Sequence, residues 1–335
     1  MVALEALSFT GDGLCVPESV LCTASGEVFA TNRRCGVSQI RSDGTVRHIG
    51  DAAFVAEREI VPNGIALLAD GTFLIADTGV HGGVWRLTAE GAFSPFLLEI
   101  EGHSIPSTNF VMVDDRARVW ITISTRALPR ERAFSPAIAD GFIAVLEDGR
   151  ARIVAEGLQF ANELRVDPAG EHLYVNETFA ERVTRFRIAK SGLGERETYV
   201  QLPRGSFTEG LAFDEDGGLW VTCIVSNRLF RIAPDRSATL VLEDLEPAAL
   251  VRTVATFDED RFTRSDMERP SARILPNISS IAFGGNDRRT AYLGSTATAI
   301  ITPTDTMRPD ERTLTYVASI HKYGQSPSIG RSRKP

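Results

Sequence analysis

Short apolar runs recur along the chain between turns rich in Gly, Asp and Asn. The clearest unit is Asn162-Glu163-Leu164-Arg165-Val166-Asp167-Pro168-Ala169-Gly170, followed by Leu173-Tyr174-Val175. It reads as a polar residue, an apolar strand, an Asp/Gly turn and a second apolar strand. The second strands repeat at 28–31, 73–77, 119–122, 173–177, 219–222 and 291–295, and a third often follows, as at 84–87, 183–188 and 228–232. These runs are short and rich in β-branched and aromatic residues, the pattern of strands joined by hairpins. Helical periodicity is nearly absent, so the fold class is all-β.

Counting back eight residues from each turn gives one position per repeat: Glu18 from Gly26, Asn63 from Gly71, Asn109 from Ala117, Asn162 from Gly170, Glu209 from Gly217 and Ser279 from Asp287. The spacings are 45, 46, 53, 47 and 70 residues. Repeats of this size match the four-stranded blades of a β-propeller, and a ring of six hides the edges that an open stack exposes. The expected architecture is a six-bladed β-propeller with a metal site at one mouth of the central channel. One domain spans 1–323, with 324–335 as a disordered tail. Segment 4–9 is expected to complete the last blade together with 314–320. Two insertions, 126–140 and 243–276, read either as lids or as surface decoration. The second contains a helical pattern from Pro247 to about Phe262, with Leu250, Val251, Val254 and Phe257 near helical spacing.

Composition narrows the function. The 335 residues are 43% hydrophobic and 24% charged, an ordinary globular balance. A net charge of −8 argues against nucleic acid, whose partners usually carry a basic footprint. No apolar run approaches the ~20 residues of a membrane span. Cys15, Cys22, Cys35 and Cys223 form no zinc pattern, although the three near the N-terminus leave a disulfide open. The first residues lack signal-peptide character. A cytoplasmic protein without nucleic-acid or membrane partners is expected.

In a propeller the six counted-back positions converge. Five are carboxylates or carboxamides, and three of the chain's eight asparagines fall in this register. Any one Asn could serve an Asx turn; five in register point to a shared site. Two carboxylates with amide oxygens suit one divalent ion, Ca²⁺ first, with Mg²⁺ or Mn²⁺ also compatible and Zn²⁺ less favoured without His or Cys. Such an ion relieves the repulsion between Glu18 and Glu209 and can polarise a carbonyl or phosphoryl oxygen. His103, six residues before Asn109, is a further acid/base and substrate-binding candidate. No nucleophile elbow or phosphate loop is present.

The chain resembles the senescence marker protein/gluconolactonase/luciferin-regenerating enzyme family of six-bladed propellers. The resemblance rests on Pro17-Glu18, Thr108-Asn109, Asn162 before Val166-Asp167-Pro168-Ala169-Gly170, Glu209-Gly210-Leu211-Ala212-Phe213-Asp214, and Ser280-Ile281-Ala282-Phe283-Gly284-Gly285. It implies metal ligands at Glu18, Asn162 and Glu209, with Asn109 at the metal or substrate; Asn63, marked by the register, is a further substrate-binding candidate. Two positions depart: Glu209 stands where the family usually has Asp, and Ser107 where sugar lactonases tend to have Arg. The implied function is a metal-dependent lactonase acting on a small lactone or ester, with Glu209 and Asn109 as catalytic residues. A phosphotriesterase-type hydrolase and a non-catalytic ligand-binding propeller are the alternatives.

Overall fold

The computed structural model describes residues 1–190, 192–268, 272, 274–275, 277–285 and 288–296, with the backbone of 317–321. Its strands form six four-stranded antiparallel sheets and one two-stranded ribbon, Glu99–Ile100 with His103–Ser104. Five sheets are each built from four consecutive strands, starting at Val20–Cys22, Pro62–Leu67, Thr108–Val113, Ala161–Val166 and Thr208–Phe213. The other sheet combines Ile278–Gly284, Thr290–Ser295 and Val317–His321 with Ser8–Thr10. Ser8 pairs with Ser319 and Thr10 with Val317, so an N-terminal strand joins this sheet, but later than the expected 4–9: Leu4–Ala6 is a short 3-10 helix. The turn at Asp287, residues 314–316 and the tail 324–335 lie outside the described residues.

The fold is a mainly-β propeller, and its core lies between sheets. Phe110, Trp120 and Ile143 pack against Leu164, Leu173 and Val175 of the next sheet. Tyr174 and Val183 meet Leu211 and Val221 in the same way. Trp220 and Leu229 meet Ile281 and Leu293, and Ala282 and Tyr292 pack against Val20 and Val28. Second strands are therefore covered on both faces: Val28–Asn32, Phe73–Asp77, Val119–Ile123 and Leu219–Cys223 are buried throughout. This explains their continuous rather than alternating apolar character. The first strands of successive sheets line up beside one another around the centre.

The turn aspartates Asp114 and Asp214 are scaffold. Asp214 accepts from the backbone N–H of Asp216 and Gly218, from Trp220 Nε1 at 2.8 Å and from Arg231 Nε. Asp114 does the same for Arg116, Arg118 and Trp120. At the opposite end of the strands, Asp77 accepts from the N–H of Val61 and Gly79, and Glu177 from that of Gln159 and from Arg182. These two acids fix turns between strands rather than joining the candidate site.

The insertions pack together. Segment 126–140 contributes the short 3-10 helix Arg130–Ala133 with Phe134, and the later insertion contributes Pro247–Asp258, Phe262 and Arg264–Glu268. Phe134, Phe160, Phe179, Phe207, Phe257 and Phe262 form one buried aromatic cluster, with Phe179 stacked on Phe257 at 5.1 Å. Arg264 Nε donates to Glu131 at 3.0 Å and ties one insertion to the other. Leu250 and Phe257 face this cluster, whereas Val251 is 70% exposed and is not part of the buried face. Its place one residue after Leu250 turns it about 100° around the helix. All four cysteines are free, and no described helix is long and apolar enough to cross a membrane.

Replacing Asp214 with Ala removes the acceptor of the Trp220 indole N–H and of the Gly218 N–H, both in the interior. Unfolding in urea should show a loss of about 3 kcal/mol or more relative to wild type; a loss under about 0.5 kcal/mol would contradict the scaffold role.

Candidate functional site

Five of the six marked residues are the second residue of a sheet's first strand: Asn63, Asn109, Asn162, Glu209 and Ser279. The repeat pattern suggested positions just before those strands. The difference has a cause, because pairing slips at this point in every one of them. The register breaks between Pro62 and Ile65, Thr108 and Phe110, Ala161 and Leu164, Thr208 and Leu211, and Ile278 and Ile281. A bulge breaks the alternation of a strand and re-aims the side chain at the slip. Glu18 stands two residues before its short strand, Val20–Cys22.

Two residues before four of these positions the backbone is left-handed. Val16, Ser107, Phe160 and Asn277 have φ of 47°, 56°, 60° and 65°. Such backbone costs on the order of 1–3 kcal/mol per residue and clusters at functional sites. Burial holds it in place: Phe160 sits in the aromatic cluster, and Ser107 accepts from the Ser124 N–H.

The bulges bring side chains of different sheets into contact. Asn162 Nδ2 donates to Glu209 Oε2 at 2.5 Å and to Thr178 Oγ1 at 3.1 Å. Asn63 Nδ2 donates to the Asn109 carbonyl at 3.0 Å, and Ser279 Oγ to the Glu18 carbonyl at 2.5 Å. Glu18 and Glu209 face each other closely enough to share a hydrogen bond. Burial pushes Glu209 up to about 7, opposed by the Asn162 amide and the positive charge of Arg130. Burial raises Glu18 well above the usual carboxylate range, and the charges of Glu209 and Glu163 add to it. Without a cation the pair therefore holds a proton near neutral pH.

Three charged residues near this group were not marked by the repeat register. Glu163 follows Asn162, accepts from the Leu211 N–H at 3.1 Å and pairs with Arg165 at 3.0 Å. Burial pushes it up to about 7. Arg165 lies 4.6 Å over the Phe110 ring. Arg130 comes from the first insertion, donates to Ser124 Oγ at 3.4 Å and lies 4.9 Å over Phe160. Burial draws its pKa down to about 10, while Glu209 and Glu18 hold it up. The arginine-rich composition of 126–140 hints at such a residue, but only the packing of the insertion selects Arg130. His103 is not brought to the site. It is exposed, on a ribbon whose first strand neighbours Arg150–Leu158, the strand farthest from the centre of its sheet.

The donor set fits a hard divalent ion. Among the described residues no three His, Cys, Asp or Glu side chains converge, so neutral oxygens would have to complete a ligand set. Such oxygens are present: Asn162 Oδ1 and both polar atoms of the Asn109 amide are buried without a hydrogen-bond partner. Buried polar atoms are rarely left unpaired, and here they accompany two carboxylates in an all-oxygen group.

A family model described as SMP-30/Gluconolactonase/LRE-like region matches residues 54–257. Among solved structures, a gluconolactonase from Xanthomonas campestris superposes with a TM-score of 0.66 at 17% identity, covering 95% of this chain and 89% of that one. A calcium-binding regucalcin from Agrobacterium tumefaciens gives 0.63 at 17% identity, covering 96% and 97%. A luciferin-regenerating enzyme gives 0.61 at 14%, covering 96% and 93%. No curated protein matches the sequence significantly.

The carboxylate pair sets a pH dependence. The folded protein keeps protons on Glu18 and Glu209 above the ordinary glutamate value of 4.5, where the unfolded chain has released them. Stability of the cation-free protein should therefore fall as pH rises from about 4.5 to 7. Thermal melts in chelator should show this slope, shallower in Glu209→Gln; a slope unchanged in that variant would contradict the shared proton.

Proposed function

The chain belongs to the SMP-30/gluconolactonase/LRE-like family, and on that premise we propose that it is a divalent-metal-dependent hydrolase that opens a lactone. The observation that carries the reading is the facing pair of buried carboxylates beside unpartnered amide oxygens. In this reading the six sheets act as a six-bladed ring with the metal at one mouth. Glu18 and Glu209 would hold the ion with Asn162 Oδ1, and Asn109 would complete the set or meet the substrate. Calcium suits the all-oxygen donors, and a calcium-binding neighbour of the same fold supports that choice.

A bound divalent ion supplies Lewis-acid polarisation of the ester carbonyl and lowers the pKa of water. The protein's side chains do the rest. The Asn162 N–H fixes the Glu209 carboxylate through its 2.5 Å bond. Glu209 takes a proton as water adds to the carbonyl carbon. It returns that proton to the ring oxygen as the C–O bond breaks, leaving the open hydroxy acid. The Asn109 amide, with no partner in the protein, donates to the developing oxyanion. Asn63 braces Asn109 by donating to its carbonyl, and its own amide oxygen would be left to meet the substrate.

Glu209 is read as an adapted ligand rather than a drifted Asp, because its longer reach meets both Asn162 and Glu18. Chelator-stripped protein should lose hydrolysis of a γ- and δ-lactone panel and regain it with Ca²⁺, Mg²⁺ or Mn²⁺. Glu209→Asp should lower kcat/KM by about tenfold or more, and Glu209→Gln further. Full turnover in chelator sinks the reading, and a gain in Glu209→Asp sinks the adapted role.

A further inference from the structure

We infer that the site takes a substrate carrying a second, anionic group, a carboxylate, which Arg130 and Arg33 bind. This rests on the hydrolase reading and names the substrate class of the same site. Arg130 and Arg33 are both partly buried, and the Nε of each is buried with no hydrogen-bond partner. Neither forms an ion pair among the described residues. Arg264, the third guanidinium of this cluster, is paired with both Glu131 and Glu268. The insertion acids nearest Arg130 and Arg33 are thus held by Arg264, and neither of these two arginines forms an ion pair with them.

The same two arginines lie in the field of the site carboxylates. Glu18 acts on both, and Glu209 acts on Arg130. Both feel the carboxylate charge, yet neither makes an ion pair with Glu18 or Glu209. Arg130 is also held in position. Its Nη2 donates to Ser124 Oγ, which donates to the Ala161 carbonyl at 3.0 Å, one residue before Asn162. The face of Phe160 supports the guanidinium from the other side. An unpaired, partly desolvated guanidinium is costly unless an anion joins it, and its planar fork matches a carboxylate.

Charge counting points the same way. A divalent ion on Glu18 and Glu209 cancels both carboxylates, and Glu131 and Glu268 outweigh Arg264 by one charge, so Arg130 and Arg33 together keep one uncompensated positive charge. Arg264 adds repulsion to each of them. A neutral lactone would leave this imbalance in place, whereas a lactone bearing a carboxylate relieves it.

Titration calorimetry with calcium present compares α-hydroxyglutarate with γ-hydroxybutyrate, which differ by one carboxylate. Wild type should bind the dicarboxylate about tenfold more tightly or better. Arg130→Gln should bring the two within about threefold, and Arg130→Lys should keep part of the preference. Equal affinities in wild type, binding of neither acid, or an unchanged ratio in Arg130→Gln overturns the proposal. Thermal melts establish that the variants fold; if Arg130→Gln does not, Arg130→Lys and Arg33→Gln carry the test by the same ratio. Anion preference without turnover of any lactone would sink the hydrolase reading and leave this site standing. Metal-dependent turnover of γ-butyrolactone without preference would do the reverse.

Discussion

Two buried carboxylates that face each other impose the constraint on which the rest of this site depends. Glu18 and Glu209 come from sheets far apart in sequence, are both buried, and act on each other's charge. Neither can ionise freely, because burial raises both and the charge of Glu163 adds to it, as does that of Glu209 on Glu18. The surroundings answer that problem in three ways: an Asn162 N–H on Glu209, positive charge from Arg130 and Arg33 at longer range, and unpaired amide oxygens suited to a cation. Each answer is incomplete without a ligand, which is why the group reads as a site rather than as a settled core.

Holding these groups requires a stiff frame with local strain. Bulges turn five side chains out of the strand alternation, and left-handed backbone precedes four of the six positions. The surrounding packing maintains it: apolar clusters between sheets, Asp-anchored turns, and the six phenylalanines under the insertions. Phe160 and Ala161 join the two systems, since Phe160 packs against the insertions and Ala161 begins the bulge that aims Asn162. Through Ser124, Arg130 is attached to the same point, so the insertions bear on the charge of the site as well as on its cover.

Much of this was legible in the sequence because the turn and strand pattern repeats. The Asp/Gly turn locks a fixed register, and eight residues back from it lies the bulge in repeat after repeat, so Asn63, Asn109, Asn162 and Glu209 could be marked without a structure. The register says nothing of Glu163, one residue off, whose inward place follows from the bulge that breaks alternation. Arg130 and Arg33 were illegible for another reason. Their positions depend on how an insertion and a loop fold back over the strands, and no period encodes that. His103 illustrates the converse, being near Asn109 in sequence but carried outward by the Glu99–Ile100 and His103–Ser104 ribbon.

The most direct test of the account is the proton count when the cation binds. Calcium titrated into chelator-stripped protein near pH 6.5, in buffers of different ionisation enthalpy, reports the protons displaced per ion. The account requires one ion per chain with release of about one proton, and loss of that release in Glu209→Gln. Binding without proton release, or release that survives Glu209→Gln unchanged, would contradict a site built on a shared proton between Glu18 and Glu209.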